Sequence, residues 1–258
     1  MISQYLARTL PGEKRFRWRG GDVSRLEGIV DAAFAFALTL LLVSTEMPAH
    51  IGELKEFFIQ LPVLLVTFVL LILVWHEHFV FHRRYGLEDP LTRLLNFAVL
   101  FLVLVYVYPL KFLFHLLYNH LVLGRPGDYR SEIPVLSGAG DMQLLMMLYG
   151  AGVLALFGLF ALMFRRAWRL REALGLDPVE QELTRGAMRS QLLSAGVAGI
   201  SVLVAAADEG WGAWSGIAYF LMWPTQWWNG VRTGRAVERL EQAAASAAGG
   251  ESVRGGEA

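Results

Sequence analysis

The stretch RLEGIVDAAFAFALTLLLVSTEM, residues 25–47, is apolar and long enough to cross a bilayer as a helix, yet its first turns carry charged side chains. Crossing the hydrocarbon core takes roughly 20 predominantly apolar residues in helical conformation. Asp31 lies inside this segment, and a carboxylate costs about 2.5–3.5 kcal/mol at the centre of such a helix and less near its end. We therefore expect the Asp31 carboxylate to have polar partners and a functional role.

Composition places the chain among integral membrane proteins. Of its 258 residues, 55% are hydrophobic and 18% are charged, and the mean hydropathy is +0.44. The sequence contains no cysteine, which excludes a disulfide framework and a thiolate metal site. It also has no P-loop, GxSxG or HExxH signature, so we do not expect an enzyme. A nucleic-acid partner is not expected either.

Hydropathy predicts an all-α membrane protein with six transmembrane helices and the lipid bilayer as its surroundings. The predicted spans are 25–47, 56–80, 91–117, 141–164, 187–207 and 211–230. Residues 1–22 read as a basic cytoplasmic arm, 23–232 as the transmembrane domain, and 233–258 as a cytoplasmic tail that we expect to be disordered.

The distribution of basic residues predicts the orientation. Of the 23 Lys and Arg residues, only four would lie on one side of the membrane: Lys55, Lys111, Arg125 and Arg130. The remaining nineteen would lie on the other side, in the arm, the linkers and the C-terminal segment. The positive-inside rule then places both termini in the cytoplasm. Acidic residues on the outer side would raise the local cation concentration, although ordinary solvated loops explain each of them equally well.

One face of the first helix reads as a candidate pore lining. At 100° per residue, Ala32, Phe36, Thr39, Val43 and Glu46 form a continuous stripe. Rings of apolar side chains can gate a pore by dewetting, and a ring of hydroxyls can help to hydrate an ion. Periodicity alone favours the simpler interpretation that the stripe packs on neighbouring helices.

Polar residues of three predicted spans lie at one depth near their cytoplasmic ends. Arg25 and Asp31 belong to the first span, Trp75 and His78 to the second, and Asn96 to the third. A buried polar network at this level would satisfy Asp31 without any ion conduction.

The histidines of the second span argue against a bound metal. His78 and His82 share a helix face, but His76 and His78 point in nearly opposite directions. A three-histidine site is therefore not expected, and we predict no cofactor.

The first helix resembles the signature of the endosomal and lysosomal potassium channels of the transmembrane-protein-175 type, and particularly their shorter bacterial homologues. That signature begins with an arginine, which is followed by any three residues and then by Phe-Ser-Asp. An apolar helix with a Thr-Leu-Leu segment comes next. The second and third spans look like the family's Trp-x-x-His element and its Asn with a late Pro, so that the resemblance covers roughly residues 22–115. The matching residues are Arg25, Asp31, Thr39, Trp75, His78, Asn96 and Pro109.

Three residues depart from that pattern. Ile29 and Val30 stand where the family has phenylalanine and serine, and Phe36 stands at the position of the narrowest apolar ring, where Ile or Leu is usual.

The resemblance implies a homotetramer of six-helix subunits around one pore that is lined by the first helix. Such channels lack the TVGYG filter, which is also absent here, and select ions through apolar and hydroxyl rings. We accordingly expect a potassium-preferring cation channel in the bacterial inner membrane, with K⁺ as the permeant ion. The alternative is a non-conducting or proton-coupled membrane protein of the same fold.

Overall fold

The computed structural model describes residues 15–21, 24–43, 48–124 and 138–254, and its regular structure in these ranges is helical. The α-helices are α1 Arg25–Val43, α2 Ile51–Ile59, α3 Leu61–Tyr85, α4 Pro90–Leu117, α5 Ala139–Arg169, α6 Pro178–Ala207, α7 Gly212–Ser215 and α8 Met222–Arg254. A π-helical turn, Tyr118–Val122, follows α4, and two 3₁₀ segments, Glu209–Trp211 and Gly216–Leu221, flank α7. Glu46 and the first fourteen residues of the predicted arm lie outside the described residues.

Five of the described helices, α1, α3, α4, α5 and α6, are long and apolar enough to cross a membrane. The chain is therefore a multi-pass, all-α membrane protein, and the expected fold class is confirmed at that level. The first five predicted spans each overlap one of these helices, although the second begins within α2 and ends before α3 does, and the fifth begins nine residues after the start of α6.

The sixth predicted span, 211–230, is helical along its length, but it is not α-helical throughout. The chain leaves α6 at Asp208 in an extended conformation and then passes through short 3₁₀ and α segments before α8 begins. The Ser201 hydroxyl donates a hydrogen bond of 2.9 Å to the Ser215 carbonyl oxygen, where α7 passes into the second 3₁₀ segment. A Cβ on Gly212 would lie 2.9 Å from the Gln143 backbone nitrogen, so glycine allows α7 to press against α5.

The C-terminal segment also differs from expectation. Residues 233–254, which were predicted as part of a disordered tail, continue α8 as a helix to Arg254. Their sequence is rich in alanine, the residue with the highest helix propensity. Composition alone therefore misread a helix-forming segment as disorder.

The hydrophobic core lies where α1, α3, α4 and α5 meet. Phe34 and Leu41 of α1 pack there with Val99 of α4 and Phe164 of α5. Phe81 of α3 meets the Phe164 ring edge to face, with ring centroids 5.4 Å apart. Helix α6 packs along α5, and α8 packs in turn on α6.

Residues 15–21 cover the ends of α3 and α6. Phe16 is buried against the Tyr85 ring, and the backbone N–H groups of Arg19 and Gly20 both donate to the Arg83 carbonyl oxygen at 3.1 Å. Gly86 ends α3 with φ of +58°, and a Cβ there would lie 3.1 Å from the Arg19 carbonyl oxygen. Glycine at this position thus allows both the left-handed turn and the close approach of the arm.

Candidate functional site: the exposed face of the first helix

Helix α1 has two opposite faces, one buried and one exposed. The buried face is formed by Leu26, Glu27, Val30, Phe34, Ala37 and Leu41. The stripe predicted from the sequence points the other way, about 200° around the helix axis from the centre of this buried face. The separation means that one side of α1 holds the subunit together, while the other side is available for another task.

The described members of the stripe are exposed on the subunit surface. Phe36 is 57% exposed and Val43 is 69% exposed, whereas Phe34, two residues from Phe36, is only 2% exposed. Ala32 and Thr39 are exposed as well. The stripe therefore does not pack within its own subunit.

Thr39 directs its hydroxyl proton back into the helix. Its Oγ1 donates a hydrogen bond of 2.9 Å to the Ala35 carbonyl oxygen. A threonine hydroxyl has one proton and two lone pairs. With the proton engaged, the oxygen presents only its lone pairs to whatever faces the stripe, and this arrangement favours a cation over an anion.

Asp31 has a partner on α3. The indole Nε1 of Trp75 donates a hydrogen bond of 2.8 Å to Oδ1 of Asp31, and the Trp75 ring stacks on Phe79 with centroids 5.5 Å apart. The structure thus joins two of the five residues that were predicted as one polar network.

A second polar cluster connects α3 to α4. Oδ1 of Asn96 lies 2.8 Å from Nε2 of His78 and 3.0 Å from Nε2 of His82, and all three side chains are buried. Because a carbonyl oxygen can only accept, each imidazole must donate its Nε2–H to this oxygen. Asn96 therefore holds both rings in one tautomer and fixes the packing of α3 on α4.

The predicted five-residue network is consequently two separate clusters and an isolated arginine. Asp31 pairs with Trp75, and His78 pairs with Asn96, while no hydrogen bond joins the two groups within the described part of the chain. Arg25 is exposed, and among the described residues it forms no hydrogen bond or ion pair. Sequence reasoning placed all five side chains in one network, whereas the structure pairs Asp31 with Trp75 and His78 with Asn96.

The role of Glu27 was missed. The Glu27 carboxylate accepts a 2.9 Å hydrogen bond from the Ser24 backbone N–H, and the Ser24 hydroxyl accepts one of 3.2 Å from the Glu27 N–H. This reciprocal arrangement is a capping box, and the spacing Ser-x-x-Glu before an apolar run was its visible signal. It fixes where α1 begins and so sets the register of the exposed stripe.

The connection between α3 and α4 is tied to α5 by an ion pair. Asp89 lies 3.2 Å from Nη2 of Arg166 and accepts a hydrogen bond from the Thr92 hydroxyl. Burial raises the pKa of Asp89, but the Thr92 hydrogen bond and the Arg166 charge lower it more, so the pKa stays below its ordinary value. This carboxylate is a structural anchor for the ends of the helices.

None of these clusters is suited to a metal ion. Within the described ranges, no group of three or more His, Asp or Glu side chains is arranged to hold one. The two imidazoles at Asn96 are both used as hydrogen-bond donors, which leaves their Nε2 lone pairs unavailable to a metal.

Comparison with known proteins supports the resemblance seen in the first helix. Residues 25–108 match the profile of the family described as the endosomal/lysosomal potassium channel TMEM175. A potassium channel of Marivirga tractuosa is 34% identical to the chain over 241 residues, which cover 88% of this chain and 94% of that relative. The chain belongs to the TMEM175 family. The part that matches the TMEM175 profile contains α1, α3 and nearly all of the α4 residues discussed above.

A solved TMEM175 structure shares the fold. It is the crystal structure of a variant of the potassium channel MtTMEM175, in complex with a nanobody–MBP fusion protein. The similarity has a TM-score of 0.76 at 31% sequence identity and covers 88% of this chain and 98% of that chain. The match therefore includes α5, α6 and the segments beyond them, where the sequence carried no recognisable TMEM175 motif.

Proposed function

We propose that this protein is a potassium-preferring cation channel of the inner membrane of a bacterium, with both termini in the cytoplasm. The observation that carries the proposal is the exposure of Ala32, Phe36, Thr39 and Val43 on the face of α1 opposite the core. The relatives from Marivirga tractuosa and MtTMEM175 are themselves potassium channels by name, which supports K⁺ as the permeant ion.

A homotetramer around α1 completes the proposed pore. A single subunit encloses no lumen at the stripe, because the stripe lies on its outer surface. Gly28, Ala32 and Ala35 are small and exposed on this side of α1, so copies of the helix can approach one another closely. Four copies would place Phe36 and Val43 on the axis as apolar rings.

The residue order along α1 suggests how such a pore works. Rings of Phe36 and Val43 would bracket a ring of Thr39 hydroxyls. Narrow apolar rings expel water and close the path, and a small widening lets water and ions return. Between them, the lone pairs of the Thr39 oxygens would replace part of the hydration of a cation. Selectivity then arises without a filter of backbone carbonyls.

Recording from purified protein in planar bilayers under a potassium gradient tests the proposal. We expect currents that reverse near the potassium equilibrium potential and that are lost when the protein is omitted. A folded tetramer that stays silent under all applied voltages would contradict conduction, and a particle of another size by mass photometry would contradict the tetramer.

The alternative, a proton-coupled protein of the same fold, is favoured by one observation. Asp31 is a carboxylate inside a membrane helix, and such residues commonly belong to proton pathways. Currents or fluxes that reverse near the proton equilibrium potential, and that persist when potassium is removed, would select this alternative over the channel.

A further inference from the structure

A basic face on α8 lies beside a group of tryptophans and has no role in the proposed pore. Trp228, Arg232, Arg235 and Arg239 are spaced 4, 3 and 4 residues apart, which places all four on one side of the helix. Together with Val231 and Ala236 they line a shallow groove of about 350 Å³. We call these four residues the arginine face.

The charges of the arginine face are not neutralised by the protein. The three guanidinium groups are exposed, and within the described residues none of them forms an ion pair. The Arg232 guanidinium lies 5.3 Å from the centre of the Trp228 ring, an arrangement that aligns it along the groove. Two acidic residues lie nearby on α8, and neither forms an ion pair with these arginines within the described residues. The Glu241 carboxylate pairs with Arg15, with Oε1 2.9 Å from Nε, and Glu238 forms no ion pair there.

The arginine face follows the exposed tryptophans of α8, and this order along the helix would place it at the level of the lipid headgroups. Trp223, Trp227 and Trp228 are all exposed and follow the apolar segment 216–221, as expected for an aromatic belt at a membrane interface. At 1.5 Å per residue, Arg232 lies about 6 Å beyond Trp228 along the helix. Helical side chains lean toward the N-terminus, so the arginines reach back toward the membrane surface.

We propose that the arginine face binds the phosphate of an anionic phospholipid headgroup, with the acyl chains lying against the exposed tryptophans. Guanidinium groups recognise phosphate oxygens through paired, charge-assisted hydrogen bonds, and basic residues near a membrane are attracted to anionic lipids. Two or three guanidinium groups around one groove suit a phosphodiester better than a zwitterionic headgroup, whose ammonium group they repel. The site is separate from α1 and does not depend on whether the pore conducts.

Native mass spectrometry of the purified full chain tests this site. The protein is titrated with phosphatidylglycerol, with phosphatidylcholine and, as a soluble phosphodiester, with glycerophosphoglycerol. The wild type should retain phosphatidylglycerol in preference to phosphatidylcholine. The triple variant Arg232→Gln, Arg235→Gln, Arg239→Gln should bind phosphatidylglycerol about tenfold or more weakly, since each basic residue near the surface contributes to the attraction.

A matched variant controls for the loss of three positive charges. Arg93, Arg165 and Arg169 are also exposed, lie at the same end of the bundle, and form no ion pair within the described residues. Their replacement by Gln should leave the lipid preference unchanged. Unaltered melting temperatures are expected for both variants because the replaced side chains are on the surface.

Three outcomes would overturn the proposal. An equal loss of preference in both triple variants would show diffuse electrostatic attraction without a site. Binding of glycerophosphoglycerol as tight as that of the lipid would identify a receptor for soluble phosphodiesters. A change of oligomeric state in the variant that lacks Arg232, Arg235 and Arg239 would identify the face as a contact between subunits.

Discussion

Arg19 and Glu180 form a buried ion pair that joins the N-terminal arm to the first turn of α6. The Arg19 side chain is 11% exposed and that of Glu180 is 2% exposed. The same carboxylate accepts a 2.7 Å hydrogen bond from the Arg17 backbone N–H, and the Arg19 Nε donates to the Leu174 carbonyl oxygen at 2.7 Å. Glu180 also closes a capping box with Asp177, so one side chain begins α6 and receives the arm.

Removing one member of this pair should destabilise the fold. Because Arg19→Gln leaves the Glu180 carboxylate buried without its cation, we expect a loss of about 3–5 kcal/mol, measured as a lower melting temperature in detergent. The control is Arg15→Gln, which breaks an exposed pair with Glu241 whose side chains are 48% and 40% exposed. That change should cost less than about 1 kcal/mol. Equal effects of the two variants would refute the structural role of the arm.

Phe36 and Phe34 provide a matched test of the pore proposal. Phe36→Ala removes an exposed ring and should raise potassium flux in liposomes while the melting temperature stays near that of the wild type. Phe34→Ala removes the same side chain from the core and should cost about 3–5 kcal/mol of stability. If Phe36→Ala lowers stability as much and leaves the flux unchanged, Phe36 is a packing residue between subunits and does not close the pore.

The hydrogen bond between Trp75 and Asp31 should be measurable as a coupling energy. In a double-mutant cycle with Asp31→Ala and Trp75→Phe, we expect about 1–2 kcal/mol of coupling in thermal unfolding, because the acceptor is charged. Asp31→Asn keeps an acceptor oxygen for the indole and should behave closer to the wild type than Asp31→Ala. Strictly additive effects would mean that the two side chains act independently.

Asn96 should be more important for stability than an ordinary buried polar residue. Asn96→Leu leaves two buried imidazole N–H groups without an acceptor, and each costs about 1–3 kcal/mol. Thr67→Val is the control, since the buried Thr67 hydroxyl is bonded to the Val63 carbonyl oxygen of its own helix. We expect a large drop in melting temperature for the first variant and a small one for the second. Similar small drops would show that the histidines find other partners.

The orientation in the membrane can be tested directly because the chain has no cysteine of its own. A single cysteine at Glu53, before the second span, should react with a membrane-impermeant thiol reagent in intact cells. One at Arg169, at the end of α5, should react only after the membrane is opened. The reverse pattern would mean that the termini are outside.

Sequence periodicity placed the stripe on one face of α1 because residue spacing alone sets the direction of a helical side chain, but it did not predict whether that face is exposed. It could not separate Asp31 from Asn96, since hydropathy indicates depth in the membrane and not the side of a helix on which a partner lies. The 3₁₀ segments before α8 were hidden for a related reason. Gly212 and its neighbours are apolar enough to read as one span, and hydropathy does not distinguish a 3₁₀ helix from an α-helix. The TMEM175 motifs, by contrast, are local and could be read directly.

The arm and its anchor are made at very different times during translation. Arg19 leaves the ribosome early, whereas Glu180 follows 161 residues later, after α1, α3, α4 and α5 have been synthesised. Until then the Arg19 guanidinium lacks the carboxylate with which it pairs. The arm can rest on the end of α3 as soon as Arg83 and Tyr85 have been made, but it is tied to the rest of the bundle only after α6 follows. A chain truncated before α6 would therefore leave an arginine at this interface without its anion.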